Sequence, residues 1–119
     1  MDRAKLGAEL RNWKIPDVPN FTEISGRYAK LVRLSANEHA AHLFRAFDGH
    51  DHIWDYLPYG PFNSSAQYLR FVSDLSMNTD PYFLAVQNKE TGQCMGVQSY
   101  LRISPEAGSI ELGHICLSP

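Results

Sequence analysis

The chain has 119 residues, 44% apolar and 20% charged, the balance of one globular domain whose core needs neither disulfides nor metal. A formal net charge of −2 excludes the basic field that nucleic acid or anionic lipid would require, so neither nucleic acid nor a membrane is expected as a partner. The longest apolar runs, such as Tyr82 to Val86, are too short to cross a bilayer.

The N-terminal MDRAKLGAEL lacks the apolar core and cleavage site of a signal peptide. With Cys94 and Cys116 as the only cysteines, the expectation is a cytoplasmic chain with free thiols. Residues 1–25 hold Trp13, Pro16, Pro19 and Phe21 without a sustained period and read as an irregular arm pinned by its aromatic residues. From Arg27 to Leu34 the sequence alternates imperfectly, with Tyr28, Lys30, Val32 and Leu34 on one face, as a strand does. Ser35-Ala36-Asn37-Glu38 has the form of a capping box. Ala36, Ala40, Leu43, Phe44 and Phe47 follow at helical spacing, and Asp48-Gly49 stops the helix.

His50 to Phe62 reads as a loop on Pro58, Gly60 and Pro61, unusually rich in aromatic residues. A second helix is expected over 64–77, with Tyr68, Leu69, Val72 and Leu75 on one face. Pro81 opens a strand over 82–87, and a turn at 88–92 leads to a strand over 94–103, where Gly96 marks a bulge or a close backbone approach. A turn at 104–108 leads to a last strand over 109–117. The fold class is therefore α+β, in the order β-α-α-β-β-β with an antiparallel sheet. A tight last hairpin pairs Ile103 with Ser109 and Gly96 with Cys116. Cys94 and Cys116 then become diagonal neighbours roughly 7–8 Å apart, too far for a disulfide.

This order, and the segments that carry it, resemble the GNAT N-acetyltransferases, and most closely the branch similar to ribosomal-protein N-terminal acetyltransferases. The segments are Gly26 to Leu34, Trp54 to Phe62, Thr91 to Gly96, Tyr100 to Ile103 and Ile110 to Ile115. They cover residues 26–119, and the Trp13 arm looks like that branch's N-terminal extension. The resemblance implies the N-terminal half of an acetyltransferase domain, truncated after the fourth strand. In the family a Gly-containing loop and a helix come next, and their N–H groups hold the cofactor pyrophosphate. The expectation is thus a GNAT domain whose pyrophosphate loop would lie beyond Pro119.

Acetyl transfer to an amine needs an oriented thioester, donors for the developing oxyanion and a route for the amine proton. The resemblance assigns acetyl-CoA as acetyl donor and an amine, on a peptide N-terminus or a small molecule, as acceptor. It places cofactor-binding backbone at Ile115, Cys116 and Leu117. Glu111, six residues before Leu117, falls where some family members carry a glutamate acting as general base through water. By strand parity it would share a face with Gly113, Ile115 and Leu117, where partial burial would raise its pKa. The family's acceptor-lining loop corresponds to Trp54, Tyr56, Tyr59 and Phe62, with His114 nearby; aromatic faces suit an amine. Tyr59 is the stronger contact candidate and Trp54 the stronger core candidate. His39, His42, His50 and His52 lack the Cys/His spacing of a structural zinc site, so no metal is expected. The competing reading is a non-catalytic interaction module, a homodimer pairing through the exposed edge of its last strand.

Overall fold

Residues 6–119 are described by a computed structural model; the first five residues of the expected arm lie outside the described residues. Strands β1 (Glu23–Ser25) and β2 (Ala29–Arg33) come first, followed by helix α1 (Ala36–Phe47). A 3₁₀ turn (Asp51–Trp54) leads to helix α2 (Ser65–Ser76), and strands β3 (Tyr82–Asn88), β4 (Cys94–Ser104) and β5 (Ser109–Leu117) complete the fold. The strands form one antiparallel sheet in the order β1-β2-β3-β4-β5. The expected α+β order is present, with one strand more than the period analysis gave. β1 lies inside the segment read as irregular, because three residues are too few to display a strand period. It is held by its pairing on β2, by Lys30 to Glu23 at 3.1 Å, and by Lys89 Nζ donating to Ser25 Oγ and Gly26 O.

Both helices cover one face of the sheet. Ala40, Leu43 and Phe47 of α1, with Tyr68 and Val72 of α2, are buried over Leu34, Phe83, Ala85, Val97 and Cys116. Removing such side chains from water supplies most of the drive to fold. The opposite face is closed partly by the arm. Phe21 packs its ring 5.8 Å from Tyr82 and 6.1 Å from Tyr100, and Tyr82 donates its hydroxyl proton to the Phe21 carbonyl. Trp13 lies over Gly108, where an added Cβ would meet the indole at 3.0 Å. The arm is thus pinned by aromatic residues, as its composition suggested.

The helix caps differ from expectation. Ser35 occupies the N-cap of α1, but its side chain makes no capping bond and Glu38 does not reach back. His39 is buried instead, and the Ser35 N–H donates to its Nδ1 at 2.9 Å. At α2 the N-cap side chain does act: Gln67 N–H donates to Ser64 Oγ, while the Gln67 side chain reaches one residue beyond the cap and accepts from Asn63 N–H. At the other end of α2, Arg33 donates to the carbonyls of Ser76, Asn78 and Phe83 while its guanidinium lies 4.0 Å from the Tyr82 ring centroid. One side chain therefore satisfies the end of α2 and ties it to β2 and β3.

These contacts give two expected outcomes. Arg33→Met should lower unfolding free energy by about 2 kcal/mol, the scale of hydrogen bonds from a charged donor, with urea denaturation as the measurement. For His39, burial holds the imidazole below its usual pKa, partly opposed by Glu38. The folded state thus binds the proton less well than the unfolded chain, so this contribution is complete at neutral pH and fades as pH drops below about 6.5. His39→Gln should flatten the loss of stability between neutral and mildly acid pH; parallel profiles for the two proteins would refute this.

Candidate functional site

The site is built around an irregularity in β5. Glu111 lies opposite Leu101 and Gly113 opposite Ser99, but the next pairs are Cys116 with Val97 and Leu117 with Gly96. Between Gly113 and Cys116 β5 holds one residue more than β4, and His114 takes up the excess at φ 49°. A left-handed conformation at a non-glycine residue costs on the order of 1–3 kcal/mol and persists only where the surroundings enforce it. The bulge corrects the expected register. Gly96 faces Leu117 rather than Cys116, and an added Cβ at Gly96 would stand 2.5 Å from Leu117 Cδ2. It also breaks the face that Glu111 was to share with Leu117. Residues 97, 99 and 101 of β4 share the helix-covered face, so their partners Cys116, Gly113 and Glu111 do too, while Leu117 turns to the other side.

Glu111 is exposed, and its Oε2 lies 3.3 Å from Arg102 Nε. Arg102 occupies a second bulge at φ 47°, where the Asp80 carboxylate accepts from the N–H groups of Arg102 and Ile103 at 3.0 and 3.1 Å. The Glu111 side chain is 46% exposed and has Arg102 as its charged partner.

The aromatic loop divides. Trp54 is buried, edge-on to Phe47 and Phe62 at 5.5 and 5.3 Å. Gly60, at φ 83°, crosses directly over its indole, where a Cβ would stand 2.6 Å away. Phe62 stacks on Phe71 at 4.7 Å. Tyr56 is 99% exposed. Tyr59 meets β5 directly: its ring stacks on His114 at 5.9 Å and 15°, and its hydroxyl lies 3.3 Å from His114 Nδ1. Phe83 closes the other side of His114, with ring centroids 5.7 Å apart. Two contributors carried no sequence signal beyond their place in an element. Phe71 backs Tyr59 at 4.6 Å, and buried Ser99 donates its hydroxyl to Gly113 O at 2.9 Å beside the bulge.

Burial, with Cys116 adding to it, raises the Tyr59 pKa to about 12. Burial also raises Cys116 to about 11 and pushes Tyr68 up. All three keep their protons at neutral pH, and the Tyr59 hydroxyl lies within hydrogen-bond reach of His114 Nδ1. Both cysteines are buried and unbridged. Ile115 and Leu117 stand at the sheet's edge, 45% and 54% exposed, and β5 has no strand on its far side among the described residues. No group of three or more His, Cys, Asp or Glu side chains among the described residues is placed to hold a metal, and no described helix is long and apolar enough to cross a membrane.

If the bulge holds His114 in place, side-chain shape at that position should matter more than polarity. His114→Val puts a β-branched residue into the left-handed region and should cost about 2 kcal/mol, whereas His114→Asn should cost less because Asn tolerates it. Urea midpoints for the two variants are the check, and equal midpoints would contradict the strain.

No protein-family model matches the chain, and no curated protein matches it. Solved structures do. A GCN5-related N-acetyltransferase from Brucella melitensis is 32% identical with a TM-score of 0.86, over 92% of this chain and 51% of its own. A protein from Chromobacterium violaceum, assigned as a GNAT-family acetyltransferase, is 31% identical with a TM-score of 0.82, over 98% of this chain and 59% of its own. A protein from Vibrio cholerae assigned as a ribosomal-protein-serine acetyltransferase shares the fold at 18% identity and a TM-score of 0.64, over 86% of this chain and 57% of its own. The chain therefore spans between half and three-fifths of the length of these structures. Over the part of the domain that it spans, it belongs in sequence and in fold to the GNAT superfamily.

Proposed function

We propose that this chain supplies the acetyl-binding and acceptor-binding portion of an acetyl-CoA-dependent N-acetyltransferase, acting in the cytoplasm on the amine of a peptide N-terminus or a small molecule. The observation that carries the reading is the open edge of β5 beside the bulge. Backbone at Ile115, Cys116 and Leu117 runs along that edge with no strand beyond it among the described residues. Free main-chain N–H groups there suit a thioester carbonyl and the amide of the pantetheine arm, which take hydrogen bonds as a neighbouring strand would. Preorganised donors of this kind stabilise the oxyanion without reorganising at the moment of reaction.

On this reading residues 26–119 are the front part of the domain and the arm closes the outer face of its sheet. The acceptor amine approaches from the aromatic loop. Tyr59 and Tyr56 are its contacts, while Trp54 and Phe62 hold the loop from beneath. Glu111, three residues before His114, lies on the same strand in solvent, paired with Arg102. Pyrophosphate binding would fall to a Gly-containing loop and helix following Pro119 in a longer chain.

A second reading is favoured by one observation. Ile110, Leu112, Ile115 and Leu117 are all about half exposed on the same edge strand. An apolar strand with unpaired backbone is a template for another chain, so this edge suits a homodimer when no donor or further strand occupies it.

The two readings separate when a 119-residue chain and a longer chain are sedimented side by side with and without acetyl-CoA. The expected result is concentration-dependent association of the short chain. The longer one should be stabilised by acetyl-CoA, by about 2.7 kcal/mol at a hundred times Kd. A longer chain whose melting is indifferent to acetyl-CoA would overturn the transferase reading, and association unchanged by length would favour the dimer.

A further inference from the structure

We infer that Tyr59 and His114 form the proton route of the reaction, with Tyr59 meeting the acceptor amine and His114 taking up the proton behind it. This rests on the acetyl-transfer reading above.

An amine that attacks a thioester must lose a proton, and a positioned base contributes roughly 10²–10⁴-fold to the rate of such a step. The carboxylate suggested for that task, Glu111, is exposed and paired with Arg102. Tyr59 and His114 have the geometry it lacks. Their rings stack at 15°, and Tyr59 Oη lies 3.3 Å from His114 Nδ1, long for a hydrogen bond but within the looseness common before substrate binds. Phe71 backs one ring and Phe83 the other. Tyr59 is half-buried.

The backbone supplies the second argument. Gly113 faces the helix-covered side, opposite Ser99, so a residue 114 in regular strand would point to the other side. The left-handed turn at His114 brings its ring within 5.7 Å of Phe83, a helix-side residue, and onto Tyr59. Bulges re-aim side chains in this way beside active sites. A strained histidine delivered to a tyrosine hydroxyl, one residue before Ile115, places the proton acceptor next to the edge backbone proposed to hold the acetyl carbonyl.

The titratable side chains electrostatically coupled to Tyr59 are Cys116 on β5 and Tyr68 on α2. Both hold their protons at neutral pH, leaving His114 Nδ1 as the receiving atom. In the step, the amine nitrogen bonds to the acetyl carbon and the carbon–sulfur bond breaks, the CoA thiolate leaving with the electron pair. The surplus amine proton moves to Tyr59 Oη while the Tyr59 proton moves to His114 Nδ1. The imidazolium then releases it to the thiolate or to solvent, restoring the pair.

Tyr59→Phe keeps the ring stack and removes the hydroxyl. His114→Asn keeps a residue that tolerates the left-handed region and an acceptor for Tyr59, but removes the base. Both are to be assayed with acetyl-CoA and a panel of peptide amines, in the longest form of the protein that transfers acetyl groups. Each should lower kcat by about 10²-fold with KM changed by no more than about threefold. Any acid limb of the wild-type pH–rate profile should vanish in His114→Asn. Nitrogen-15 NMR of the 119-residue chain gives a readout independent of activity: His114 Nδ1 should report as an acceptor and shift in Tyr59→Phe. Transfer within about threefold of wild type in both variants, or an acid limb that survives His114→Asn, would overturn the relay. So would a His114 Nδ1 unmoved by Tyr59→Phe. If no form of the wild-type protein transfers acetyl groups, the acetyltransferase reading itself fails and the relay with it.

Discussion

The constraint on which the site depends is the single extra residue that β5 carries between Gly113 and Cys116. It decides which side chains enter the core and which leave it. With it, Cys116 turns inward beside Val97 and Leu117 turns outward over Gly96. Without it those two would exchange faces, and a leucine would have to fit where a buried cysteine now packs. Interiors are packed too tightly to accept such an exchange unchanged. The neighbourhood is shaped to the bulge. A Cβ on Gly113 would stand 2.8 Å from Leu101 Cδ2, and one on Gly96 would stand 2.5 Å from Leu117 Cδ2. Ser99 fixes the Gly113 carbonyl from inside the core. The cost of a left-handed histidine is met by this packing and by the stack on Tyr59.

The same bulge separates two kinds of site chemistry along one strand. His114 belongs to the helix side, where Tyr59, Phe71 and Phe83 surround it with apolar surface. Ile115 and Leu117 belong to the open edge, where backbone groups meet solvent. β4 can support this because it is itself held on both sides. β3 pairs with it in unbroken register from Tyr82 to Val86, and Asp80 grips the second bulge at Arg102 and Ile103. Arg33 then ties the start of β3 to the end of α2, the helix that carries Tyr68 and Phe71. The aromatic floor of the site and the strand above it are thus connected through a short chain of hydrogen bonds.

Much of this architecture was legible in the residues. The periods over 36–47, 64–77, 82–87 and 94–103 gave elements within a residue or two, since each is long enough to repeat its pattern. β1 was not legible, because three residues cannot show a period. The register of the last hairpin was right over Ser99 to Leu101 but one residue off at both ends, where Ser109 pairs with Ser104 rather than Ile103 and Leu117 rather than Cys116 pairs with Gly96. Alternation assumes a strand without bulges, and nothing in Leu112-Gly113-His114-Ile115 distinguishes a bulge from a regular strand. Ser35-x-x-Glu38 and Ser64-x-x-Gln67 carry the same capping signature, yet only the second caps. At α1 the adjacent His39 falls on the buried face and captures the Ser35 N–H first. The burial of Trp54 matches the reading of that residue as core. The full exposure of Tyr56 was not legible, since a loop turned by Gly60 has no period to read.

The edge of β5 sets an internal conflict for the fold. A strand meant to pair with a ligand must leave its backbone groups open, and the apolar residues that would flank such a ligand are the ones that make an open edge adhesive. The chain guards its opposite edge by making β1 short and placing charged Glu23 and Lys30 beside it. On this side the charged residues, Glu111 of β5 and Arg102 of β4, cluster toward the β4–β5 turn, and the stretch from Ile115 to Leu117 carries none. The bulge reduces the exposure to mispairing, because a strand kinked at His114 cannot offer a long regular ladder to another chain. The same distortion that delivers His114 to Tyr59 therefore also limits how far an unwanted strand can zip along the edge, so the placement of His114 and the restraint on the edge arise from one residue of excess length.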